Sequence, residues 1–93
     1  MNLDKSKKRI EKRVKRGFQG YPMVTITYYG ENQSMATEVV VGFIQEEGSA
    51  ALEEKFVTVG DTREDTTVQT TIIKIIDRVE AKSVSLSEGV LCR

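Results

Sequence analysis

The segment from Thr66 to Val79 puts Val68, Ile72, Ile75, Ile76 and Val79 on about 100° of a helical wheel, yet nine of the eleven residues from Thr66 to Ile76 are Thr, Val or Ile. β-branched side chains favour a strand. The block Ile72-Ile73-Lys74-Ile75-Ile76 breaks strand alternation, however, and the ends carry helix signals. Asp61 or Thr62 can cap the start, Glu64 and Asp65 sit at the positive end of the dipole, and Arg78 and Lys82 lie near the negative end. Periodicity and end charges together predict a helix within residues 62–82. A stripe so apolar has to be buried, so the rest of the chain must supply a surface for it.

That surface is written in a different period. Val24, Ile26 and Tyr28 alternate with Thr25, Thr27 and Tyr29, the signature of a half-buried strand. Gly30-Glu31-Asn32-Gln33-Ser34 reads as a hairpin loop, and Met35 to Gln45 resumes β-favouring residues with Val39, Val41 and Phe43 on one face. Val40 and Ile44 lie on the other face around Gly42, which predicts a strand covered on both sides or bulged there. Ala50 to Lys55 has the composition of one helical turn, Phe56 to Val59 that of a short strand, and Ser83 to Ser87 alternates as a last strand before a turn at Glu88-Gly89. At the N-terminus, residues 3–16 are rich in helix formers, with Leu3, Ile10 and Val14 within about 40° of one another.

The predicted order is helix, strand, strand, strand, helix, strand. It suits a two-layer α+β domain, a mainly antiparallel four-stranded sheet with two helices on one face. If the third and last strands are parallel neighbours, the helix between them makes a right-handed crossover. Ninety-three residues are room for one domain, 1–93, divided into a basic helical arm (1–16) and an α+β body (17–93).

Charge makes that division sharp. Residues 1–20 hold eight basic side chains against Asp4 and Glu11, a local charge of +6, while the other 73 residues hold six basic and twelve acidic ones, −6. Such asymmetry points to a basic segment that meets an anionic partner or folds back on its own acidic surface. Lys8, Arg9, Lys12, Arg13, Lys15 and Arg16 are the candidate nucleic-acid-binding residues, able to neutralise several phosphates along one helix. An acidic protein surface is an equally good partner, and the arm or an exposed strand edge could serve self-association into a homo-oligomer. A membrane is not expected as a partner. The longest run free of polar side chains is Val39 to Ile44, against the ~18 residues a span requires. The apolar-poor N-terminus predicts no secretory signal.

Other motifs are weak. Gly17-Phe18-Gln19-Gly20 has the GxxG spacing of KH domains, but a KH loop joins two helices and this one leads to Pro22 and a strand. Arg16-Gly17-Phe18 begins like an RRM strand motif and then departs from it at Gln19-Gly20. Tyr21, Tyr28 and Tyr29 could offer stacking platforms, with Tyr28 assigned to the core and Tyr29 to the opposite face.

For catalysis the inventory is poor. There is no histidine, which removes the commonest general base and metal ligand. One cysteine, Cys92, cannot form an intramolecular disulfide or an all-thiolate zinc site, so a reducing, cytoplasmic location is expected. The spacing of Asp61, Glu64 and Asp65 could gather oxygens around a cation, but helix capping explains it more simply. With no P-loop, dinucleotide fingerprint or Ser-centred elbow, no catalytic residue, metal or cofactor is assigned; an enzyme would need unusual chemistry.

The stretch Lys12-Arg13-Val14-Lys15-Arg16-Gly17-Phe18-Gln19-Gly20-Tyr21-Pro22 with Met23-Val24-Thr25-Ile26-Thr27-Tyr28-Tyr29-Gly30 resembles a group of short uncharacterised bacterial proteins, as do Ala51-Leu52-Glu53-Glu54-Lys55-Phe56 and Ile75-Ile76-Asp77-Arg78. The resemblance covers nearly the whole chain. It implies a bacterial, single-domain protein and no mechanism.

Overall fold

Alternation in the central strand organises the molecule. In the computed structural model, which describes residues 3–92, Val24, Ile26 and Tyr28 of β1 (Met23–Gly30) are buried, and Thr25, Thr27 and Tyr29 between them are half-exposed. β1 pairs antiparallel with β2 (Glu38–Ile44), which brings Val39 opposite Tyr28, Val41 opposite Ile26 and Phe43 opposite Val24 on the same face. β2 pairs antiparallel with β3 (Leu52–Val57), and β4 (Ser83–Cys92) adds to β1 in parallel, giving the order β3-β2-β1-β4. The sheet is mixed, with two antiparallel pairings and one parallel.

Both helices, α1 (Leu3–Lys15) and α2 (Thr66–Arg78), lie on the Val24 face. Val68, Ile72, Ile73, Ile75 and Ile76 of α2 and Ile10 of α1 join the inward row of the strands in one core. Spacing prevailed over β-branched composition in α2 because the stripe has a sheet to bury against. A 3-10 turn (Thr62–Glu64) leads into the helix; Asp61 caps that turn and Asp65 caps α2, its carboxylate accepting from the Val68 N–H at 2.9 Å.

Several expectations are corrected. Ala50 to Lys55 makes no helical turn; Leu52–Val57 is one continuous strand, because pairing with β2 from Phe43↔Leu52 to Glu38↔Val57 outweighs local propensity. β2 is regular through Gly42, opposite Thr25, and among the described residues both helices pack on its Val39–Val41 face. A Cβ at position 42 would stand 2.5 Å from Thr25 Oγ1, so any larger residue there has to turn that side chain aside. The last strand does not stop at Ser87. The register slips between Ile26↔Leu86 and Tyr28↔Val90, Gly89 takes φ +68° within the bulge, and pairing resumes to Cys92. β3 and β4 are not neighbours but occupy opposite edges, so α2 carries the chain across β2 and β1.

The two helices run parallel. Ser6 Oγ lies 3.4 Å from Thr70 Oγ1, the Arg9 guanidinium donates to Asp77 at 3.2 Å, and Arg13 donates to the Ala81 carbonyl, so contacts advance together along both chains. Their C-terminal ends therefore meet at one end of the layer. Lys82 N–H donates to the Pro22 carbonyl at 2.8 Å, and Gln19 N–H to Ser83 Oγ at 2.7 Å, tying the glycine-punctuated connection to the start of β4. That tie is the role the Gly17–Gly20 segment plays here.

Candidate anion-binding surface

The narrow apolar stripe of α1 decides where its cations point. Ser6 and Ile10 are buried, Leu3, Lys7, Arg13 and Val14 are half-buried, and Asp4, Lys5, Lys8, Arg9, Glu11, Lys12, Lys15 and Arg16 are exposed. At about 100° per residue, Arg9 and Arg13 flank the buried stripe on the α2 side and Lys7 and Glu11 on the other; Lys8 crowns the solvent ridge, with Lys12 and Arg16 leaning to the α2 side and Lys15 to the other.

The six candidate residues are thus divided. Arg9, Lys12, Arg13 and Arg16 come together along the seam with α2, where they line a depression of about 340 Å³ with Ile73, Ile76 and Asp77. Arg13 and Arg16 also line an adjoining notch of about 410 Å³, completed by Gln19, Ala81 and Lys82. Lys15 faces elsewhere, 3.3 Å from Glu11. Lys8 stands on the ridge. Among the described residues, the side chains of Lys8, Lys12 and Arg16 enter no hydrogen bond or ion pair with one another or with any carboxylate. The Arg9–Asp77 pair is half-exposed on both sides, and such pairs contribute ~0–1 kcal/mol. The carboxylates of the chain therefore leave much of the arm's charge uncompensated by close contact.

The notch gathers Arg13, Arg16 and Lys82 with no carboxylate in its lining. Two things bring the three cations together. The parallel helices end side by side, and the negative ends of both dipoles favour positive side chains there. Arg13 already serves that purpose at the Ala81 carbonyl. Arg16 and Lys82 add charge beyond it, and their mutual repulsion falls when an anion enters. Sequence reasoning assigned Lys82 only to a helix terminus. Its place beside Arg16 follows from α1 running parallel to α2, for which no local signal exists.

The tyrosines do not join this surface. Tyr28 is buried, with its hydroxyl accepting from Gln69 Nε2 at 3.0 Å; burial pushes its ionisation up, opposed by that hydrogen bond. Tyr29 is on the sheet face opposite the helices. Tyr21 packs edge-on against Phe18, with ring centroids 5.4 Å apart.

The acidic trio is used structurally. Asp61 accepts from the Arg63 backbone and guanidinium, Glu64 pairs with Lys7 at 2.8 Å, and Asp65 caps α2. Hydrogen bonds from Arg63 hold the Asp61 carboxyl below its usual range, and Asp61 in turn raises Arg63. Among the described residues no three His, Cys, Asp or Glu gather as metal ligands, and no helix is long and apolar enough to cross a membrane.

A longer groove runs along the other flank of α1. It encloses about 720 Å³ over Ile10, Val14 and Leu86, with Tyr28 and Gln69 at its deep end and Lys7 and Lys15 on its rim. Leu86 belongs to the inward row of β4, opposite Ile26, yet is 41% exposed because no helix covers it.

Compared with known proteins, the chain matches no family model, no curated protein and no solved structure.

Proposed function

We propose that the protein is a non-catalytic binding module whose α1 surface docks on a polyanion, with nucleic-acid phosphates as the ligand groups. The observation that carries this reading is the notch of Arg13, Arg16 and Lys82, a concave cationic site lacking a carboxylate, continued by Lys12 and Arg9 along the helix seam. Phosphate contacts of this kind position a strand without reading its bases. Contacts to phosphate alone carry no sequence information, and the exposed Phe18 beside Gln19 could add only a sequence-tolerant stacking contact, so binding is indifferent to sequence.

Fluorescence anisotropy of labelled single-stranded and duplex oligonucleotides across a salt series tests the proposal. Each phosphate neutralised contributes about −0.9 to the log–log salt slope on duplex, or about −0.7 on single strands. Arg16→Gln with Lys82→Gln should weaken binding at low salt by about tenfold or more and flatten the slope by one to two contacts' worth, roughly 1–2 units. Lys55→Gln, a neutralisation at the far edge of the sheet, serves as the control. Equal affinity and slope for the paired variant and wild type would remove the notch from the function.

A further inference from the structure

The hydrogen bonds of Gln69 fix which way its amide faces. The Thr62 carbonyl can only accept, so the atom 3.1 Å from it is Nε2, and the second Nε2 proton goes to the Tyr28 hydroxyl at 3.0 Å. Both amide protons are thus used, while Gln69 Oε1 accepts from no donor among the described residues. The same bonds orient Tyr28. Its oxygen accepts from Gln69, so its own proton points elsewhere and meets no described acceptor. Gln69 is 2% exposed and Tyr28 7%, and both line the deep end of the groove between α1 and β4. Gln69 Oε1 is not sealed from the surface, and the groove is the opening it borders. A free donor and a free acceptor therefore stand together at the bottom of an apolar slot.

We infer that this groove is a binding site for a neutral aliphatic amide, an acyl chain of medium length that ends in a carboxamide. The head follows from the two free atoms. A carboxamide carries a carbonyl that accepts from the Tyr28 hydroxyl and, on the neighbouring atom, an N–H that donates to Gln69 Oε1. A carboxylate supplies only acceptors and would set its charge against the Gln69 oxygen. The rim does not offset that cost. Lys7 pairs with Glu64 at 2.8 Å, Lys15 with Glu11 at 3.3 Å and Arg63 with Asp61 at 2.7 Å, so each cation there already faces a carboxylate.

The chain follows from the walls. Ile10 and Val14 lie one turn apart on α1 and face Leu86, branched aliphatic side chains that match a run of methylenes. Leu86 is 41% exposed in an inward row, and a chain laid beside it would take that surface from water. From Lys7 to Lys15 the groove follows α1 for roughly 12 Å, room for an acyl chain of about eight carbons. Its volume of about 720 Å³ falls within the range of ordinary ligand clefts. Arg13, Arg16 and Lys82 take no part, so the site stands or falls apart from polyanion binding.

Nitrogen–proton correlation spectra of the intact protein, titrated with octanamide, read the inference directly. Shifts should concentrate on the Gln69 side-chain amide and on Ile10, Val14 and Leu86, with a dissociation constant on the order of 1 mM or tighter that salt leaves unchanged. Hexanamide, two methylenes shorter, should bind about five- to tenfold more weakly. N,N-dimethyloctanamide, which has no N–H, and octanoate should each be at least about fivefold weaker than octanamide, as should octanamide on Tyr28→Phe. Leu86→Lys places a charge in the wall at a half-exposed position, and should abolish the titration while keeping the wild-type circular dichroism. Arg16→Gln with Lys82→Gln should bind octanamide as wild type does. Shifts absent or scattered over the surface, octanoate, octanol or the dimethyl amide binding as tightly as octanamide, or full binding by Leu86→Lys would overturn it.

Discussion

α1 and α2 are both thirteen residues long, lie on the same face of the same sheet, and are held by different means. α2 buries Val68, Gln69, Ile72, Ile73, Ile75 and Ile76, whereas α1 buries only Ser6 and Ile10. The first is a wall of the core. The second is fastened along its α2 side by the Ser6–Thr70 contact, the Arg9–Asp77 pair and the Arg13–Ala81 hydrogen bond, with an open groove along its other side. A helix fixed by so little apolar area keeps most of its surface free to carry charge. Lys8, Lys12 and Arg16 take no part in that fastening and are left for an anion, whereas Arg9 and Arg13 also help to hold the helix.

Substitutions in the two helices test this contrast most strongly. Ile72→Ala removes a side chain with no exposed surface from the centre of the core and should cost about 3–5 kcal/mol in urea unfolding. Ile10→Ala should cost less, about 2 kcal/mol, because Ile10 borders the groove and water can enter the space it leaves. Equal losses would mean that α1 is as much a part of the core as α2.

Among the described residues, a buried polar network joins α2, β1 and the 3-10 turn. Gln69 Nε2 donates to the Tyr28 hydroxyl at 3.0 Å and to the Thr62 carbonyl at 3.1 Å, while the Thr62 N–H donates to the Ala36 carbonyl at 2.7 Å. Gln69→Leu keeps the volume and takes the donor from the Tyr28 hydroxyl, although the Thr62 carbonyl still accepts from the Asp65 N–H at 3.3 Å; the loss should cost about 1–3 kcal/mol. It should also speed hydrogen exchange at Thr62 and leave α1 cations and polyanion affinity untouched. A neutral result would show that the Tyr28 hydroxyl finds another partner at the groove it borders.

Most of this layout is legible in the residues, and the exceptions have a common origin. The 3.6-residue stripe of α2 and the alternation of β1 announce their elements because each repeats one period over several turns or pleats. Leu52-Glu53-Glu54-Lys55 does not, since a strand exposed on both faces needs no alternation, and only the partner β2 makes it extended. Gly89 marks a turn by composition, but whether a strand resumes beyond it depends on β1 lying alongside. The cationic arm is visible as composition. Its division into a seam, a ridge and a flank needs the wheel of α1, and Lys82 joins only because β4 begins where two parallel helices end.

The smallest expected effect concerns how α2 is launched rather than how it is packed. Asp61 caps the turn before α2 and accepts from the Arg63 guanidinium, interactions that hold its carboxyl below the ordinary value of 3.8. A group whose folded pKa is depressed stabilises the fold above its unfolded pKa and loses that contribution as pH falls through the folded one. Asp61→Asn should therefore be less stable than wild type at neutral pH, and the gap should close on acidification below about pH 4. α1 is fastened by contacts of a different kind, and Ile10→Ala leaves Asp61 and its partners in place, so its thermal unfolding should keep the wild-type acid limb. If Asp61→Asn left that limb unchanged, the entry to α2 would be held by the backbone of the 3-10 turn alone, and the contrast between a capped, core-forming helix and a lightly moored, charge-bearing one would rest on packing only.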